Sequence, residues 1–143
     1  MNILQIGILV FVFIEVLNVM VLYFNPTFKY GNGVGVFNVY HEVIKDKKYQ
    51  DFINYMVFWV AGAKLIFIMI GLVVVFGGNY STQLFTVIAL ILSILSFYYK
   101  LFPLIKKMDD SGNITPKGYY KTLGLMINSM IIGFITIFVI SII

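Results

Sequence analysis

Two ionisable residues stand near the middle of apolar runs long enough to cross a bilayer. Glu15 lies among Phe11, Val12, Phe13, Ile14, Val16 and Leu17, and Lys64 lies in the second such run. A charge at the centre of a membrane helix costs roughly 2.5–3.5 kcal/mol even on lenient insertion scales. Each therefore needs compensation, and each is the obvious partner of the other. Glu15 is twelve positions from Ile3 and Lys64 twelve from Phe76. At a helical rise of about 1.5 Å per residue, antiparallel packing puts both at the same depth, about 18 Å from those ends. Asn18 and Asn128 are each fifteen positions from Ile3 and Ile143, and Ser93 is twelve from Ser81. Glu15, Lys64, Asn18, Ser93 and Asn128 are thus expected to form one polar layer contributed by four helices. Intramembrane ionisable groups commonly mark a ligand, ion or proton site. The alternative is an assembly device, in which a charge pair and polar neighbours set helix register where lipid gives no hydrophobic drive.

Other candidate sites are weaker. His41 and Glu42 at headgroup depth could do acid–base work on a lipid, but no nucleophile accompanies them and Lys45 replaces the second histidine of a zinc-protease motif. A solvated polar face is the simpler reading. Gly31-Asn32-Gly33-Val34-Gly35 follows no strand and reads as a flexible hinge. Asp109-Asp110-Ser111-Gly112-Asn113 lacks the later bidentate glutamate of a calcium loop and reads as a plain turn. With no cysteine and one histidine, thiolate chemistry, disulfides and multi-histidine metal or haem sites are excluded, and no cofactor is expected.

The elements that must position these residues follow from composition. The chain of 143 residues is one domain's worth, 61% hydrophobic and 11% charged, where a soluble domain has about a quarter of its residues charged. Four apolar runs reach the ~20 residues that span a bilayer core: 3–24, 52–76, 81–102 and 119–143. Pro26 and Pro103 fall just after runs, where they disturb no helical hydrogen bond. The expected fold is all-α, a four-transmembrane-helix antiparallel bundle. The first link carries Val36, Phe37, Tyr40, Val43 and Ile44 at helical spacing, which predicts a short amphipathic interfacial helix over 34–48.

Net charge is +4, carried by ten lysines without arginine. The lysines cluster in the first and third links, from Lys29 to Lys48 and from Lys100 to Lys121. Such clusters beside apolar runs suit anionic lipid headgroups rather than nucleic acid. The positive-inside rule makes both links cytoplasmic and both termini external, as in a prokaryotic plasma membrane. The first run lacks the basic segment and small-residue cleavage site of a signal peptide and is expected to be retained. Thr82, Thr86, Ala89, Ser93 and Ser96 form a small or polar stripe on the third helix. Ala89-xxx-Ser93 and Ser129-xxx-Gly133 offer faces for a homo-oligomer or a membrane-protein partner. Three function classes follow: a small carrier, channel or ligand-binding protein; an accessory subunit with a structural Glu15–Lys64 pair; and a lipid-modifying enzyme at the interface.

Overall fold

The computed structural model describes residues 1–29 and 33–143. It is all-helical, with α1 (Ile3–Phe24), α2 (Asn38–Val43), α3 (Lys47–Gly77), α4 (Tyr80–Leu95), α5 (Phe97–Asp110) and α6 (Tyr119–Ile142). Four helical stretches are long and apolar enough to cross a membrane: α1, α3, α4 with α5, and α6. Their outward faces are apolar too. Ile66, Val73 and Phe76 on α3 are each more than 60% exposed, a surface that suits lipid and not water.

Local chemistry sets the helix ends. Asn2 caps α1 in a reciprocal box, its Oδ1 accepting from the Gln5 backbone N–H at 2.9 Å while Gln5 Oε1 accepts from the Asn2 N–H at 2.8 Å. Asp46 caps α3 by accepting from the Lys48 N–H, and Asn79 caps α4 by accepting from the Thr82 N–H. The Asp46 cap explains why the second span begins at Lys47 rather than at 52. It also shortens the interfacial element: of the predicted helix over 34–48, a separate helix forms only over Asn38–Val43, and Lys47 and Lys48 belong to α3. Residues 34–37 instead form a loop, in which the Val34 N–H donates to Pro26 O and the Phe37 N–H to Val34 O.

The glycines before α2 have a different role from the expected hinge. A Cβ on Gly33 would lie 2.0 Å from Phe28 O, and one on Gly35 would lie 1.7 Å from Thr27 O. They permit close backbone packing. Gly31 and Asn32 of the same run, and Tyr30, lie outside the described residues.

The third span also departs from expectation. It does not stop at Phe102, and Pro103 lies inside α5, not beyond a helix end. The span breaks earlier, at Ser96, whose hydroxyl donates to Ser93 O at 2.6 Å. Its backbone N–H is shared between Leu92 O and Ser93 O, each at 3.2 Å, the tightened geometry of a 3₁₀-type turn. The α-helical pattern is interrupted at this one residue and resumes at Phe97, so Pro103 falls within α5.

α1 is the central element, packing against α3, α4 and α6. The main core joins Leu4, Ile8, Val12 and Leu22 of α1 to Ala61 and Ile68 of α3. Contact is close because a Cβ on Gly71 would lie 2.7 Å from Val12 Cγ2, and one on Gly7 would lie 2.6 Å from Ile137 Cδ1. At one end of the molecule, Gln5 Nε2 donates to Val75 O at 2.8 Å and Asn2 Nδ2 donates to Gln83 Oε1 at 2.7 Å. The buried Gln83 in turn donates to Gly78 O, and Tyr80 Oη donates to Ser141 O.

At the other end the two lysine-bearing links meet. Phe37 and Ile114 form an isolated antiparallel bridge, and Asn38 bonds Gly112 O and Thr115. A second core of Val36, Ile105, Ile114 and Tyr119 lies beneath them. Asp109, read from the sequence as part of a turn, is 1% exposed. Its carboxylate accepts from the Gly118 N–H at 2.9 Å and the Tyr120 N–H at 3.2 Å. The first turn of α6 begins at Gly118, which has no side chain to cap it. Asp109 caps it from α5, with negative charge at the positive end of the helix dipole.

Candidate functional site

Glu15 and Lys64 are bonded directly, Lys64 Nζ donating to Glu15 Oε2. Their side chains are 12% and 23% exposed, respectively. That exposure opens onto a cavity of about 480 Å³, within the ~300–1,000 Å³ usual for ligand sites. Glu15 and Asn18 of α1, Lys64 of α3 and Ser93 of α4 all line it. The remaining wall is apolar, with Phe97 of α5 and Met126 of α6 among its members.

Four of the five residues assigned to one depth therefore share one cavity. Asn128 does not line it. Tyr98 Oη donates to Asn128 Oδ1 at 2.9 Å and also to Gly124 O at 3.2 Å, tying α6 to α5. Tyr98 lies two residues past the interruption at Ser96, and its contact with Asn128 is not visible in the sequence. Ser96 itself lines the cavity; its place on the polar stripe was visible, its role in breaking the helix was not. The stripe's other hydroxyls are satisfied near the terminal end, with Thr86 donating to Thr82 O and Thr82 to Asn79.

The polar groups of the cavity are incompletely satisfied. An ammonium has three N–H donors and a carboxylate several acceptor sites. The pair uses one N–H of Lys64 and one oxygen of Glu15. The side chains of Asn18 and Ser93 make no hydrogen bond among the described residues. Asn18 is half-buried and Ser93 exposed, and among the described residues no buried side-chain nitrogen or oxygen lacks a partner, so the open polar groups lie at the cavity surface and not in the packed interior. The arrangement can bind a small group by hydrogen bonds from several sides.

His41 sits elsewhere. Its Nε2 donates to Gly35 O at 2.9 Å, holding α2 against the preceding loop, and Glu42 is exposed. Beside it Tyr40 is buried, and that burial pushes its phenol above its ordinary range. Among the described residues no three His, Cys, Asp or Glu side chains gather in a way that could hold a metal ion. At the lysine-rich end, Lys106 and Lys121 both approach the ring of Tyr120, at 6.0 and 5.8 Å. Compared with known proteins, the chain matches no family model, no curated sequence and no solved structure.

Proposed function

We propose that this chain is an antiparallel four-helix membrane bundle that binds a small ligand in the cavity beside Glu15 and Lys64, as a carrier or receptor. One observation carries the reading: Asn18 and Ser93 line the cavity mid-span with no hydrogen bond of their own among the described residues. A purely structural polar seam would bring such groups onto each other, as Tyr98 and Asn128 are brought together. In this reading the lysine-rich end faces the cytoplasm by the positive-inside rule, and its lysines and tyrosines meet anionic headgroups.

The test removes the unsatisfied groups and leaves the charge pair alone. The Asn18→Leu, Ser93→Ala double variant should keep wild-type helicity and stability, because neither side chain is bonded in the fold. Mass spectrometry of small molecules extracted with the purified protein should find a species bound to the wild type and depleted at least tenfold in the variant, the loss expected from one or two hydrogen bonds. Identical extracts would remove the basis of the reading.

A second reading has its own observation. The direct Lys64–Glu15 bond is what an accessory subunit with a register-setting pair would show. In that case double replacement of the pair would leave the biological role intact.

A further inference from the structure

A second cavity bears on what the ligand is. A groove of about 310 Å³ lies between α1 and α6, walled by Ile6, Gly7 and Val10 on one side and Gly133, Phe134 and Ile137 on the other. Its one polar side chain, Ser129, donates its hydroxyl proton to Met126 O at 2.8 Å. The groove adjoins the polar cavity: Phe11, Ile14 and Met130 line both. Along α1 the residues lining the two spaces run from Ile6 to Asn18, about 18 Å at the helical rise. One end holds every polar group and the other is apolar. Because the groove lies between two membrane-length helices, its occupant must be soluble in lipid.

Charge restricts the polar end. Glu15 and Lys64 sum to zero. An anion on the open N–H groups of Lys64 would compete with Glu15 for the ammonium and leave a net negative charge in the site, and a cation on the open oxygen of Glu15 would do the reverse. An uncharged group that both donates and accepts can bond the open oxygen of Glu15, the open N–H groups of Lys64, Asn18 and Ser93 without separating the pair. We propose that the occupant is a neutral single-chain amphiphile drawn from the bilayer, with its hydrogen-bonding end at Glu15, Lys64, Asn18 and Ser93 and its tail in the α1–α6 groove. This inference rests on the reading of the polar cavity as a ligand site.

The experiment uses the full chain in phospholipid nanodiscs and two photoreactive forms of hexadecanamide, one with a diazirine at the tail end and one with it beside the amide. The amide-end probe should label residues around Asn18 and Ser93, and the tail-end probe residues around Val10 and Ile137. Gly133→Leu is the blocking variant, since Gly133 lines the groove and a Cβ there meets nothing within 4 Å. It should cut tail-end labelling about tenfold, the loss expected when two or so methylenes lose their burial. It should leave labelling of the polar cavity by a short amide, photoreactive hexanamide, unchanged. If Gly133→Leu disturbs helicity, Val10→Phe on the facing wall serves the same purpose.

Amide-end labelling in the cavity with the tail directed to Leu101 and Leu123, or insensitive to the blocking variant, would overturn the amphiphile pose and leave the ligand site standing. Chain-to-chain crosslinks through the groove would overturn it in favour of a second copy. Labelling by all probes no denser in the cavity than at the exposed Ile66, Val73 and Phe76 of α3 would overturn both the pose and the ligand site.

Discussion

Lys64→Met alone is expected to lower the stability of the fold by about 3 kcal/mol, measured by equilibrium unfolding in mixed micelles. The variant leaves Glu15 without its partner at mid-span, and breaking a buried pair from one side costs more than the pair itself contributes. The insertion cost of a lone mid-membrane charge gives the same scale, about 3 kcal/mol. Glu15→Gln alone should be comparably damaging, because it strands the ammonium of Lys64. The Glu15→Gln, Lys64→Met double variant should recover most of the loss, to within about 1 kcal/mol of the wild type, since an amide and a thioether of similar volume leave no charge to compensate. Losses that simply add in the double variant would mean that the two side chains act independently, contrary to their direct bond.

The second large effect lies far from the cavity. Asp109→Ala should destabilise the protein by about 2–3 kcal/mol, the scale of leaving two backbone donors unsatisfied and uncapping a helix. The carboxylate is 1% exposed and accepts from both Gly118 and Tyr120, so no water replaces it without opening the core of Val36, Ile105, Ile114 and Tyr119. Asp109→Asn keeps the shape and one acceptor, and should fall between wild type and Ala. Hydrogen exchange should accelerate at Gly118–Tyr120 in both variants, and faster in Asp109→Ala. Unchanged exchange there would show that α6 is held by something other than this cap.

The membrane-length helices were legible because they depend on local apolar runs, and α1 was read with the boundaries it has. The depth at which Glu15 and Lys64 meet was legible for the same reason, since helical rise turns sequence position into height. What sequence position could not supply was azimuth and direction. Asn128 has the matching sequence position but bonds Tyr98, which does not line the cavity. Pro103 suggested an end where the chain continues as α5. The Asp109 cap was hidden for another reason. It joins residues nine and eleven positions apart through a turn, and an aspartate beside Asp110, Ser111 and Gly112 looks like an ordinary polar turn. The interfacial helix was overread because apolar spacing alone cannot reveal that Gly33 and Gly35 must pack against carbonyls.

The central claim is that Glu15 and Lys64 belong to a binding site and are not only a register device. The charge-swapped variant, Glu15→Lys with Lys64→Glu, separates the two roles. It preserves an ion pair between α1 and α3 but moves the carboxylate away from Asn18, which shares α1 with Glu15. The swapped protein is expected to unfold within about 1 kcal/mol of the wild type and to lose the small molecule that purifies with it. A swapped protein that folds normally and retains that molecule at the wild-type level would contradict the claim.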